Sequence, residues 1–103
     1  MKMLVFALIT LATGTSIAPA FADQALANAK NCMSCHTLDR KVVGPAFKDV
    51  AAKYANDKTA VERLATKIQK GGAGAWGPVP MPSNTQVNDA EAKKLAAWVL
   101  STK

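Results

Sequence analysis

A chain of 103 residues with 13 Lys and Arg against 7 Asp and Glu has room for one domain and carries a formal net charge of +6. Its two cysteines and single histidine, all within residues 32–36, do not supply the four ligands of a structural zinc site. The charge alone would suit nucleic acid, but the basic residues are scattered as pairs such as Arg40-Lys41 and Lys93-Lys94 rather than gathered in one block.

Residues 1–22 read as a secretory signal. Lys2 supplies the positive start, Leu4 to Ile9 open the apolar stretch, and Ala20-Phe21-Ala22 is a small-x-small cleavage site. Thr13, Gly14, Thr15 and Ser16 break the apolar run before it reaches bilayer length. Cleavage after Ala22 leaves residues 23–103, with 12 basic against 7 acidic side chains. The expected mature domain is exported to the periplasm with no stable membrane insertion, which removes nucleic acid from its partners. Its apolar core is marginal by itself.

Asp23 to about Asn31 is alanine-rich and predicts a helix with Leu26 as its main apolar knob. Next comes Cys32-Met33-Ser34-Cys35-His36, the attachment signature of c-type haem. In that chemistry each cysteine adds its sulfur to a haem vinyl group, and the adjacent histidine is placed to ligate the iron. A dithiol redox site is the competing use of Cys-x-x-Cys, but it calls for a strand-rich βαβ context that the helical pattern below does not offer. One covalently bound haem c is therefore the expected cofactor, held by Cys32 and Cys35 with His36 on the metal. It also gives a small chain a large apolar body to pack against.

Pro45 predicts the start of a second helix, where Phe47, Val50, Ala51 and Tyr54 recur at helical spacing. Thr59 and Glu62 predict a capping box for a third, with Val61, Leu64, Ala65 and Ile68 as its stripe and Gly71-Gly72 as its stop. Phe47, Val50, Leu64 and Ile68 are the residues expected to line the macrocycle. From Gly71 to Val87 runs a long loop stiffened by Pro78, Pro80 and Pro82, with Met81 in its middle. Asn88 and Glu91 cap the last helix, striped by Leu95, Trp98 and Val99. No stretch alternates as a strand, so the expected fold is all-α, four short helices wrapped around one covalently attached haem.

Met1 and Met3 leave with the leader and Met33 lies inside the attachment loop, which makes Met81 the thioether available as sixth ligand. His/Met ligation saturates the iron and describes an electron carrier rather than an enzyme. The alternative keeps Met81 as an apolar plug and the sixth position open, giving a haem enzyme or gas sensor.

Over residues 23–103 the chain resembles the small bacterial class I cytochromes c of the c-551/c-552 type. The resemblance is carried by the cysteine motif, by Lys41-Val42-Val43-Gly44-Pro45-Ala46, by Lys48-Asp49-Val50-Ala51-Ala52-Lys53-Tyr54 and by Trp76-Gly77-Pro78-Val79-Pro80-Met81-Pro82. It implies a monomeric periplasmic carrier moving electrons from a cytochrome bc complex or another donor to a terminal oxidase or nitrite reductase. It further implies that the Pro45 carbonyl accepts the ring N–H of His36, that Trp76 donates to a haem propionate, and that Asn84 holds the methionine or its loop. Lys67 stands where some relatives use arginine to pair a propionate, and lysine keeps the charge without the fork. Some relatives carry phenylalanine at the position of Ala27 and a smaller residue at that of Met33, so Met33 is expected to fill space under the first helix. The redox partners are expected to present acidic docking patches to an exposed haem edge, ringed by Lys30, Lys41, Val42, Val43, Pro78 and Val79.

Overall fold

The computed structural model describes Gly14 and residues 20–103, with the side chains of the first helix described from Asp23. The expected leader, residues 1–22, lies outside the described residues apart from Gly14 and the backbone of residues 20–22. Four helices follow in order: α1 (Ala20–Ala29), α2 (Phe47–Lys53), α3 (Ala60–Lys70) and α4 (Asp89–Ser101). Between α3 and α4 runs a short antiparallel ribbon, β1 (Gly72–Gly74) and β2 (Gly77–Met81). None of the described helices is long and apolar enough to cross a membrane.

α1 stops at Ala29 because Asn31 turns into the left-handed region at φ 65° and hands the chain to the cysteine motif. α2 begins two residues after Pro45, since Ala46 is still extended. α4 has the expected capping box: Asn88 Oδ1 accepts from the Glu91 N–H at 2.8 Å, and Glu91 Oε1 accepts from the Asn88 N–H at 3.1 Å.

The box expected of Thr59 and Glu62 at α3 does not form. Thr59 holds the N-cap position, but its hydroxyl donates to Asp57 Oδ1 at 2.7 Å, and its N–H donates to the same oxygen at 2.8 Å. Asp57 Oδ2 takes the Arg63 guanidinium at 2.6 Å. A carboxylate two residues upstream is the stronger acceptor and draws the threonine away from the helix end.

The stretch expected as an unpaired loop is partly a ribbon, with Gly72 opposite Met81, Gly74 opposite Gly77 and a bulge between them. Pro78 and Pro80 conceal this strand in the sequence, because a proline has no N–H to give a ladder. A two-stranded ribbon tolerates them, since each strand keeps one unpaired edge. Gly71, at φ +68°, turns α3 into the ribbon, and a Cβ there would run into the carbonyl oxygen of Met81.

α4 packs against α1, α2 and α3. Ala27 of α1 and Ala92 and Ala96 of α4 are fully buried, so methyl groups alone fill those positions and the helices can approach closely. Leu95 is the one large side chain among the described residues that is almost completely enclosed. Trp98 meets Phe47 edge to face, with centroids 5.4 Å apart. Met33, half-buried, packs on this core.

Two carboxylates in these caps are held below the ordinary carboxylate range. The Thr59 hydroxyl and N–H do this for Asp57, with Arg63 behind them, and the Asn88 N–H does it for Glu91, with Lys30 behind it. A lowered folded-state value means that the charged carboxylate favours the native state. That contribution is complete above the ordinary values near ~4 and is lost as pH falls through the lower folded-state values. The gap in urea midpoint between the wild type and Asp57→Asn/Glu91→Gln is therefore expected to be constant above about pH 5 and to close below about pH 4. A gap independent of pH would mean that neither carboxylate is tuned by folding.

Candidate haem cleft

The cysteine motif folds as a tight turn. Residues Cys32–Ser34 form one turn of 3-10 helix, with the N–H groups of Cys35 and His36 both donating to the Cys32 carbonyl at 3.2 and 3.1 Å. Ser34 pins the start of the turn through its hydroxyl, which donates to the Asn31 carbonyl at 2.7 Å. Both cysteines are half-buried and unlinked to each other. Burial pushes the Cys32 thiol up, which keeps it neutral.

His36 is held on three sides. Its Nδ1 lies 2.8 Å from the Pro45 carbonyl, and since a carbonyl only accepts, Nδ1 carries the hydrogen and Nε2 keeps its lone pair for a metal. Phe47 stacks on the ring at 4.7 Å between centroids and 21° between planes. The loop supplying Pro45 is anchored by Gly44 N–H to the Cys35 carbonyl at 2.8 Å and by Phe47 N–H to the Thr37 carbonyl at 2.9 Å.

Gly44 completes the cradle, because a Cβ added there would overlap the imidazole, meeting Nδ1 at 2.8 Å and Nε2 at 2.9 Å. Gly44→Ala is therefore expected to tilt the ring off Pro45 and to destabilise the protein by about 1–3 kcal/mol or more, as other overpacking substitutions do. A urea melt read beside the haem absorption spectrum checks both effects. An unchanged spectrum and midpoint would mean the ring has room to move.

Met81 ends β2, half-buried, and the chain behind it is tied to α3. Asn84 donates through Nδ2 to the Ile68 carbonyl at 2.8 Å and to the Pro82 carbonyl at 3.4 Å, while its N–H reaches the Ile68 and Gln69 carbonyls at 3.2 Å each. The amide thus holds the methionine loop and closes the C-terminus of α3 at the same time.

These elements surround a cavity of about 390 Å³ lined by Cys35, His36, Pro45, Phe47, Val50, Leu64, Lys67, Ile68, Trp76 and Met81. A second of about 300 Å³ shares Cys35, His36, Phe47, Ile68 and Met81 and adds Cys32 and Asn84. Every site residue anticipated from the sequence lines one of the two spaces. The first is an apolar slot with His36 and Met81 in its walls and Lys41, Arg63 and Lys67 among its polar residues. Lys67 Nζ lies over Gly72, 3.1 Å from where a Cβ would stand. A flat apolar macrocycle with two carboxylates, thiol anchors and a metal needing one nitrogen and one sulfur ligand fits this donor set.

Some contributors went unanticipated. Lys53 of α2 donates to the Ala75 carbonyl at 2.8 Å and sits 4.5 Å from the Trp76 ring centroid, so it clamps the ribbon tip. Arg63 lines the cavity from α3 and lies 5.7 Å over Tyr54. Neither leaves a signal in the helical stripes, because both are cations on exposed helix faces. Lys30, by contrast, is not available for an exposed cationic ring: it pairs with Glu91 at 3.3 Å and donates to the Gln86 carbonyl at 3.0 Å. Val42, Val43 and Val79 are exposed as expected, at 49%, 53% and 62%.

Four helices around a slot that opens on a Cys-x-x-Cys-His turn define the class: the chain belongs to the cytochrome c family, whose sequence model, Cytochrome c, matches residues 23–103. It is similar to cytochrome c-552 of Hydrogenobacter thermophilus, at 55% identity over 102 residues covering 99% of this chain and 98% of that one. It is also similar to cytochrome c-551 of Pseudomonas aeruginosa, at 51% identity over 102 residues covering 95% and 97%. The crystal structure of wild-type Nitrosomonas europaea cytochrome c552 matches with a TM-score of 0.76 and 52% identity, over 78% of this chain and 99% of that one. The expected class I fold thus stands, with a small ribbon added to its four helices. The relatives make covalently attached haem c the cofactor and electron transport the activity class.

Proposed function

We propose that this chain is a soluble, monomeric periplasmic one-electron carrier, exported by residues 1–22 and matured as residues 23–103. Cys32 and Cys35 would hold the haem through thioethers, and His36 Nε2 and the Met81 sulfur would ligate its iron. The observation that carries this is the bond from His36 Nδ1 to the Pro45 carbonyl, which leaves Nε2 with a free lone pair on a residue that lines the same cavity as Met81.

The haem, when bound, supplies a one-electron couple at its iron. The chain's own residues do the rest. Pro45 and Phe47 fix the imidazole, so that gain or loss of an electron needs little rearrangement of the ligand. Val50, Leu64 and Ile68 exclude water from the ring. Trp76 and Lys67, which line the cavity, would hold the haem propionates. The apolar mouth made by Val43, Pro78 and Val79, with Lys41 beside it, meets an acidic patch on the donor or acceptor in a short-lived encounter. The donor is a cytochrome bc complex or another periplasmic protein, and the acceptor a terminal oxidase or nitrite reductase.

The test is an absorption spectrum of the mature protein, ferric and ferrous, repeated under carbon monoxide. A low-spin spectrum with the weak red band of methionine–ferric iron, unmoved by carbon monoxide, is the expected result. A high-spin spectrum that responds to the gas would replace the carrier with a haem enzyme or sensor.

A further inference from the structure

The methionine loop is fastened at a second point, against the residues that lead into the cysteine motif. Lys30, the last residue but one before the cysteine motif, and Gln86, five residues after Met81, grip each other reciprocally. Lys30 Nζ donates to the Gln86 carbonyl at 3.0 Å, and Gln86 Nε2 donates back to the Lys30 carbonyl at 3.2 Å. The same Gln86 amide donates to Asn84 Oδ1 at 3.1 Å. Lys30 is steadied in turn by Glu91 of α4 at 3.3 Å.

The chain of contacts therefore runs from the residue beside the haem-anchoring turn, through Gln86, to Asn84 and on to the carbonyls of Ile68 and Pro82 next to Met81. It crosses the rim of the second cavity, which Asn31, Cys32, Asn84 and Gln86 all line. By occupying Asn84 Oδ1 with a donor, Gln86 leaves Nδ2 as the end that faces the methionine loop. One side-chain amide thus couples the two segments that carry the haem, one by its cysteines and one by its methionine, across 56 residues of sequence.

We propose that Gln86, gripped by Lys30, is a positioning residue that keeps the Met81 loop closed on the iron and sets how readily another ligand displaces the methionine. This role rests on Met81 being the sixth ligand. Losing two hydrogen bonds from one exposed amide should ease opening of the loop without unravelling the helices, by roughly three- to tenfold in the opening equilibrium.

The experiment titrates imidazole into the ferric holoprotein and follows loss of the red methionine–iron band. Gln86→Glu keeps the size of the side chain but cannot donate, and Gln86→Ala removes it. Both are expected to bind imidazole roughly three- to tenfold more tightly than the wild type. Asn88→Ala, which breaks the capping box of α4, serves as the comparator: it should lower the urea midpoint and leave the imidazole constant near that of the wild type. Equal imidazole affinity in the wild type and both Gln86 variants would overturn the clasp, as would an equal gain in Asn88→Ala, which would make loop opening a matter of global stability. A wild-type ferric spectrum without the red band would overturn Met81 ligation and the clasp with it.

Discussion

The double replacement Cys32→Ala/Cys35→Ala is expected to leave a haem-free chain with no cooperative unfolding transition, and one that regains a transition when free haem is supplied. The reason lies in the size of the side chains that make the core. Of the thirteen buried apolar residues among those described, seven are alanines, and only Leu95 is both large and almost fully enclosed. The larger apolar residues Leu64 and Ile68 turn instead toward the cavity of about 390 Å³. At about 24 cal/mol per Å³, emptying that volume would cost about 9 kcal/mol as an upper bound, because the cleft opens to water. The whole stability of a domain this small is of the order of 5–15 kcal/mol, so the empty slot consumes most of it. Thioethers convert the macrocycle from a ligand that can leave into part of the covalent core. Thermal melts by circular dichroism, with and without added haem, check this. A sharp transition in the haem-free double variant would mean that α1, α3 and α4 make a sufficient core without it.

The parts of this molecule that were legible in its sequence are those where one residue type has a single good use. Cysteine, cysteine and histidine at fixed spacing point to one chemistry, and the stripes on α2 and α3 then identify the cavity wall at Phe47, Val50, Leu64 and Ile68 because apolar periodicity survives packing. The cap of α4 was legible for a similar reason: nothing near Asn88 and Glu91 competes with their mutual bonds. The cap of α3 was not, since Asp57 offers Thr59 a better acceptor than the helix end does. The ribbon was obscured by Pro78 and Pro80, which ordinarily argue against a strand and are accommodated here by a free edge. Gly44 conveys nothing by composition alone, as its value is the space it leaves beside the imidazole of His36, eight residues earlier in the chain. Lys30 was misread in a different way. It is a lysine near the haem motif, and charge alone suggested a docking surface, whereas Gln86 and Glu91 hold it inward.

Met81→Ala is expected to open the iron without opening the loop. Gly71 brings the chain back beneath the Met81 carbonyl, Gly72 pairs with Met81 in the ribbon, and Asn84 fastens the following residues to Ile68. All of these ties use backbone atoms or neighbouring side chains, so they persist when the thioether is cut back to a methyl group. What is lost is the sulfur and the packing of a half-buried side chain, the latter about 2 kcal/mol at the low end of such truncations. The ferric protein should lose its red band and become high-spin, and the ferrous protein should bind carbon monoxide at neutral pH. Its reduction potential should fall, because a thioether on the iron raises the potential. Met81→His provides the contrast that separates ligation from packing: the iron is saturated again, carbon monoxide is excluded, and the potential stays below that of the wild type. If Met81→Ala keeps the wild-type spectrum and still refuses carbon monoxide, the sulfur is not on the iron, and the slot must hold its sixth position by some other group.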